Sequence, residues 1–329
     1  MIHRRPHRCL LLVLLCSACT GWQSVLQPRG PQAEDLHWLL WVFVLVCTVT
    51  WLAVMLVLLA AVRRRHTAAN PRAERRAASL VGAAIATTVL VVCTLTFMSY
   101  AATRGMSMAD DDALVIKVRG YQWWWEITYS DPRPDRTFKT ANEIHIPVGR
   151  PVRVELSAAD VIHSFWVPNL AGKQDLIPGR ANHLTFIADR PGVYRGQCAE
   201  FCGLQHAHMA LLVVVQDAAS FATWRTAQLR DAAKPPDEEA GQGRAFFIAK
   251  QCAGCHTVRG TPAAGTLGPD LTHVASRATI AAGVLPTTRG SLAAWIADPQ
   301  TIKPGNNMPM VPMTPEQLRD VSAWLADLR

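Results

Sequence analysis

Two groups of soft metal ligands dominate the chemistry that this 329-residue chain could perform. The first is Cys198-Ala-Glu-Phe-Cys202-Gly-Leu-Gln-His206-Ala-His-Met209. Spacings of four, four and three residues let one loop between two strands turn two thiolates, an imidazole and a thioether toward a single point. Sulfur with imidazole suits copper or zinc, and a thioether adds weight to copper. A further imidazole has to come from elsewhere. His163, in Asp160-Val-Ile-His-Ser-Phe-Trp-Val-Pro168 just after a strand-like run, is the choice. A structural disulfide between Cys198 and Cys202 would leave His206 and Met209 unexplained, and zinc has little use for a thioether. With every position filled by the protein, such a site leaves no opening for substrate, which points to electron transfer rather than catalysis.

The second group is Cys252-Ala-Gly-Cys255-His256, the covalent c-type haem attachment pattern. Two thiolates would add to the haem vinyl groups, and His256 would become the proximal axial ligand. A low-spin electron carrier also needs a sixth ligand, for which Met308, Met310 and Met313 compete. His145, His183, His208 and His273 read as surface or hydrogen-bonded residues. His208 adjoins Met209, but alternation along the chain would turn it away from the metal.

The elements that must position these ligands differ between the two groups. From residue 112 to 217, short β-branched and aromatic runs alternate with Pro, Gly and Asp. Examples are Leu114 to Val118, Tyr121 to Tyr129, Val152 to Leu156, His183 to Ala188 and Leu211 to Val215. Such spacing predicts an antiparallel sandwich or barrel. Residues 218–239, with Lys234-Pro-Pro236 and Asp237-Glu-Glu239, read as a polar linker. Residues 240–329 read as helical. Thr314, Pro315 and Gln317 predict a capping box there, and Leu318, Val321, Leu325 and Leu328 a face that packs on a helix around Gly243 to Ile248.

The formal charge is +8, and all of it lies in residues 1–109, with 11 basic and 3 acidic side chains. The remainder is balanced, which argues against nucleic-acid binding. Composition also excludes general disorder, being 50% hydrophobic and 18% charged. Residues 1–18 read as an export signal, a basic stretch followed by an apolar run too short to span a bilayer. Ser17-Ala18-Cys19 resembles a lipoprotein cleavage box, so Cys19 is a candidate lipid anchor. Residues 37–62 and 77–103 contain the uncharged runs Trp38 to Val62 and Ala77 to Thr103, each long enough to cross a membrane. The loop between them, residues 63–76, carries six Arg and one Glu, which places it in the cytoplasm and the following domains on the outer face. Cys47 and Cys93 fall within the spans as small apolar residues.

The set His163, Cys198, Glu200, Cys202, His206 and Met209 resembles the CuA motif of cytochrome c oxidase subunit II. The resemblance extends to Gly120-Tyr-Gln-Trp-Trp-Trp-Glu126 and Lys173-Gln-Asp-Leu-Ile-Pro-Gly-Arg180. It implies a cupredoxin fold holding two copper ions bridged by Cys198 and Cys202. Each ion would also take one imidazole, His163 or His206, with Met209 and the Glu200 carbonyl as weak ligands. The Glu200 carboxylate would bind magnesium at the interface with subunit I, and electrons would arrive near Trp123. Lys303-Pro-Gly-Asn-Asn-Met308-Pro resembles the ligand loop of small class I cytochromes c, which selects Met308 as the second axial ligand.

In order, the chain reads as export signal, two-helix hairpin, CuA domain, linker and all-α cytochrome c domain. It resembles the bacterial oxidase subunits II that carry a fused cytochrome c. That implies a membrane protein of the bacterial inner membrane that takes electrons from cytochrome c and partners subunits I and III. Oxygen reduction and proton pumping would occur in subunit I. The family's Glu near the start of the second helix has only Glu74 as a counterpart, and no proton-uptake role is assigned to it. The competing expectations are a membrane-anchored copper chaperone, which would not need His206, Met209 or a haem domain, and nitrous-oxide reductase, which needs a large His-rich domain that this chain lacks.

Overall fold

The computed structural model describes residues 21–63, 71–105 and 112–329. The expected export signal (residues 1–18), the candidate anchor Cys19 and the middle of the Arg-rich loop lie outside the described residues. Two long helices come first, α1 (Pro31–Arg63) and α2 (Pro71–Gly105). At 33 and 35 residues each is about 50 Å long, more than the ~30 Å hydrocarbon core requires. Their apolar side chains, such as Leu56, Val57, Leu90 and Phe97, face outward along the whole length. That suits lipid or an apolar partner, and the chain is membrane-anchored by these helices.

Helix α1 begins six residues before the expected span because its first turn belongs to the next domain. Arg29 N–H donates to the Asn169 carbonyl (2.7 Å) and the Arg29 carbonyl accepts from Asp189 N–H (2.8 Å). Gln32 Oε1 accepts from Ile187 N–H at 3.0 Å. Any side chain at Gly30 would meet the Ile187 carbonyl oxygen at 1.9 Å, so a glycine is required where the strap crosses the sheet.

Ten strands build a sandwich of two five-stranded sheets, β3-β2-β1-β5-β8 and β4-β10-β9-β6-β7. They are β1 (Leu114–Tyr121), β2 (Trp124–Tyr129), β3 (Phe138–Ala141), β4 (Glu143–Pro147), β5 (Val152–Ala158), β6 (His163–Trp166), β7 (Gln174–Leu176), β8 (Asn182–Phe186), β9 (Gly192–Cys198) and β10 (Ala210–Gln216). Alternate residues point inward, so Ile116, Val118, Trp125, Ile127, Val152, Val154 and Phe165 fill the space between the sheets. The expected sandwich forms, but it is not wholly antiparallel. Strand β1 pairs parallel with β5, and β10 with β4. Each of those pairs joins strands that are distant in sequence, so no hairpin dictates an antiparallel sense.

Within the expected linker, residues 218–228 form helix α3 (Ala218–Gln228), with Asp217 as its N-cap. Trp224 stacks on His145 at 4.1 Å and meets Tyr129 and Phe138 edge-on, which closes the end of the sandwich. The first half of the stretch read as polar connection, 218–239, is thus a helix packed on the sandwich.

The last domain contains α4 (Glu238–Ala249), the short α5 (Cys252–Cys255), a small hairpin of β11 (Thr279–Ile280) and β12 (Leu285–Pro286), α6 (Arg289–Ala297), α7 (Pro299–Ile302) and α8 (Pro315–Asp327). The Thr314/Gln317 capping box forms as the sequence implies. Helices α4 and α8 cross at Gly243, where an added Cβ would lie 2.0 Å from the Asp320 carbonyl oxygen. Phe247 packs edge-on against buried Trp324 beside the crossing.

Candidate metal and haem centres

The copper-ligand candidates come from two places in one sheet. His163 opens β6, Cys198 closes β9, and the loop from Cys198 to Met209 leads into β10. Strands β6 and β9 pair, and Ser164 accepts the Ala199 N–H at 3.0 Å, so the histidine strand and the cysteine loop are held side by side. The ligand atoms of His163, Cys198 and Cys202 all lie within 4.8 Å of one another. His163 Nδ1 is 3.8 Å from Cys198 Sγ and His206 Nδ1 is 3.7 Å from Cys202 Sγ. Met209 Sδ lies 3.8 Å from Cys202 Sγ, and the Glu200 carbonyl oxygen 3.2 Å from Cys198 Sγ. All six residues thus meet around the two sulfurs. The Glu200 carboxylate turns outward and caps the Phe201 amide.

The surroundings prepare this donor set. Asp160 Oδ1 bonds His163 Nε2 at 2.8 Å, which leaves Nδ1 to face the sulfurs. Burial alone would lower the His163 pKa, but hydrogen bonds to Cys198 and Asp160 and their charges raise it. The facing thiols share protons. Cys198, accepting from Cys202 and helped by His163, is lowered, and the same hydrogen bond, with burial, pushes Cys202 upward. Two buried sulfurs that cannot both lose their protons alone are suited to cations that compensate both charges. Gly120 gives the imidazole its place, since a Cβ there would stand 2.7 Å from His163 Cδ2. His208, as expected, is turned away, with Nδ1 on Gln205 Oε1 at 2.8 Å.

In the last domain, Cys252, Cys255, His256 and Met308 all line one cavity of about 610 Å³. His256 Nδ1 donates to the Pro269 carbonyl at 2.8 Å, leaving Nε2 free for a metal, and burial lowers its pKa so that the ring is neutral. Gly268 lies against this ring, where a Cβ would come within 2.5 Å. Arg277 also lines the cavity, and its Nε is buried without a partner, a donor that a carboxylate of a bound group would satisfy. The residues therefore fit a haem. Of the three methionines, Met308 alone lines the cavity, whereas Met310 is 57% exposed. Asn306 Oδ1 accepts the Met308 N–H at 2.8 Å, and Gln300 Nε2 donates to its carbonyl at 3.0 Å, which fixes the loop.

Sequence reasoning did not foresee the junction between the two centres. Tyr121 and Trp124 close the β1–β2 hairpin and leave Gln122 and Trp123 at its tip. Trp123 is only 8% exposed because the haem domain covers it, and it lines the haem cavity. Its indole Nε1 donates to the Cys202 carbonyl at 2.9 Å, beside the Gln122 side chain at 2.8 Å. Glycine at 203, with φ +109°, makes room, since a Cβ would lie 3.2 Å from the indole. Lys303 and Glu143 also join the domains; Glu143 lies in no motif, and the ligand-loop resemblance that begins at Lys303 does not announce a contact with the other domain.

Both domains of this chain match known families. Residues 133–217 match the family described as cytochrome c oxidase subunit II, periplasmic domain, and residues 240–329 match cytochrome c. These two families imply CuA and haem c. Cytochrome c oxidase subunit 2 of Alkalihalophilus pseudofirmus is 34% identical over 97% of this chain and 95% of its own length. The Bacillus subtilis protein of the same name is 35% identical over 60% of this chain and 57% of its own. Among solved structures, the periplasmic domain of subunit II from Bradyrhizobium japonicum is 35% identical, covering 37% of this chain and 96% of that one with a TM-score of 0.34. With near full-length similarity and both metal domains matched, the chain belongs to the cytochrome c oxidase subunit 2 family of oxidoreductases, in a form with a cytochrome c domain at its C-terminal end.

Proposed function

We propose that this chain carries electrons from an external cytochrome c, through its own haem domain and then its copper domain, to subunit I of a terminal oxidase. Bound haem c and CuA would supply the redox chemistry, delivering electrons to haem a for reduction of oxygen to water coupled to proton pumping. Cys252 and Cys255 would hold the haem covalently, and His256 and Met308 would hold its iron. Cys198, Cys202, His163, His206, Met209 and the Glu200 carbonyl would hold the copper. No open position remains for substrate, which favours electron transfer over catalysis at this centre.

The observation that supports a route between the two centres is Trp123. It lines the haem cavity with its ring and holds the Cys202 carbonyl with its indole N–H, so one side chain touches both centres. The same covering leaves the haem domain, rather than the Trp123 face, as the surface that a cytochrome c donor meets. The Arg-rich segment between the helices favours the cytoplasm, so both domains would lie on the outer face of the inner membrane. The exposed helices would dock on subunits I and III, and the outward Glu200 carboxylate is available to a magnesium ion at the subunit I interface. A copper chaperone would have no use for His206 and Met209 brought onto the same sulfurs, or for the haem cavity.

The test is spectroscopic, on the purified oxidase complex. Rapid reduction of haem c should be followed by reduction of a centre with the mixed-valence multiline EPR signal and near-infrared band of CuA. A Cys202→Ser variant should lose that signal while keeping haem c. Retention of the signal in the variant, or its absence from the parent complex, would sink the assignment.

A further inference from the structure

We propose that Lys303 is a positioning residue for electron transfer within the chain: its ammonium pins the haem domain onto the Trp123 face of the copper domain and so fixes the gap that the electron crosses. This rests on the route proposed above and adds the group that holds that route together. Lys303 follows α7 in the haem domain and is only 3% exposed. Its Nζ donates to three main-chain carbonyls, Trp123 at 2.7 Å, His208 at 2.8 Å and Ala281 at 3.1 Å. The first two belong to the copper domain and the third to the haem domain.

The choice of partners is informative. Trp123 holds the Cys202 carbonyl, and His208 immediately precedes Met209, so one ammonium grips both sides of the copper loop through the backbone. Three acceptors use all three N–H bonds of an ammonium, whereas a neutral amine would leave one carbonyl without a donor. Burial works against the charge and pulls the group down to about 7, while the nearby Cys202 thiol, when ionised, works for it. Surface attraction between domains would use a carboxylate at the rim. A buried lysine on carbonyls instead demands one geometry.

The rest of the seam agrees. Gln205 Nε2 donates to the Pro304 carbonyl at 2.9 Å, one residue beyond Lys303. Ala210 N–H donates to the Ala282 carbonyl at 3.0 Å, and Glu143 Oε2 accepts the Ala278 N–H at 2.8 Å. Ala281 and Ala282 are both left-handed, with φ of 54° and 58°, a conformation that alanine rarely adopts. The carbonyls of both are taken up at the seam, that of Ala281 by Lys303 and that of Ala282 by Ala210 across it. Electron tunnelling weakens exponentially with separation, so a seam that opens by a few ångströms slows transfer without altering either centre.

The experiment uses the full oxidase complex with Lys303→Met and Lys303→Gln. Photoreduced haem c should pass its electron to CuA at least ten-fold more slowly in both, with the optical and EPR signatures and both midpoint potentials unchanged. Hydrogen exchange at the Ala210 and Ala278 amides, which bond across the seam, should accelerate. A wild-type transfer rate in either variant overturns the proposal, as does a slowed rate with those amides still protected. In the unmodified complex, Lys303 should resist amine acylation under conditions that label the exposed Lys234 and Lys250, and ready labelling of Lys303 overturns it without any variant. If the unmodified complex shows no haem-to-copper transfer, it is the electron route that fails. If it transfers normally and so do the variants, only the role of Lys303 fails.

Discussion

The candidate copper ligands are arranged as acids as much as ligands. Cys198 is lowered by its bond from Cys202, which favours its thiolate, and Cys202, raised by that bond and by burial, holds its proton more tightly. His163 is also raised, by Cys198 and Asp160 acting against burial, and has to be neutral to bind a metal through Nδ1. Metal loading must therefore displace protons that the apo site holds more tightly than free residues would. The sign follows directly: apparent copper affinity rises with pH, and loading at neutral pH acidifies an unbuffered solution. Titrating the apo complex with copper while following proton release checks this, and release that is absent at neutral pH would contradict the shared-proton arrangement. The haem ligands allow a separate test. Met308→Ala should lose the thioether-to-iron absorption band, and Met310→Ala, altering an exposed residue, should keep it.

At the scale of elements, legibility followed how local the signal was. The capping box at Thr314, the apolar stripe of α8 and its partner helix near Gly243 are written in adjacent residues, and the structure has all three. The crossing is tight enough to be tested. Gly243→Ala forces a Cβ toward a backbone oxygen that would be 2.0 Å away, so the helices must separate. The haem domain should lose about 1–3 kcal/mol of stability, the usual cost of overpacking. Thermal unfolding of the complex followed at the haem should show this with the CuA signal intact, and an unchanged midpoint would mean the helices part without cost. Less local features were hidden. Helix α3 lies in a stretch that reads as linker because its stabilisation comes from Trp224 stacking on His145, a partner 79 residues earlier that no periodicity announces. The parallel pairings β1 with β5 and β10 with β4 likewise depend on long-range closure. The candidate copper ligands were legible because five of the six sit between Cys198 and Met209, and His163 because it comes just after a strand-like run. Lys303 could not, since a lysine near a methionine loop looks like any solvated charge until another domain buries it.

For the whole molecule, the proposed orientation makes charge a topology signal rather than a binding surface. The +8 lies entirely in residues 1–109, and the six Arg and one Glu of residues 63–76 supply +5 of it. Both domains follow α2 and share one side of the membrane, so their placement depends on which end of each helix that loop retains. The strap at Gly30 strengthens the constraint, because α1 enters the membrane from the same domain that α2 leaves toward, and the hairpin has both outer ends on one face. An alkaline phosphatase fused after Arg329 should therefore be active, since that enzyme works only after export. Replacing all six loop arginines with alanine removes the retention signal while leaving both apolar runs and the copper and haem ligands untouched. Phosphatase activity per fusion molecule should then fall several-fold as part of the population inserts with the opposite sense. An inactive parent fusion would place the domains inside. Full activity of the six-alanine variant would mean that folding of the strapped sandwich, rather than the loop charge, sets the orientation.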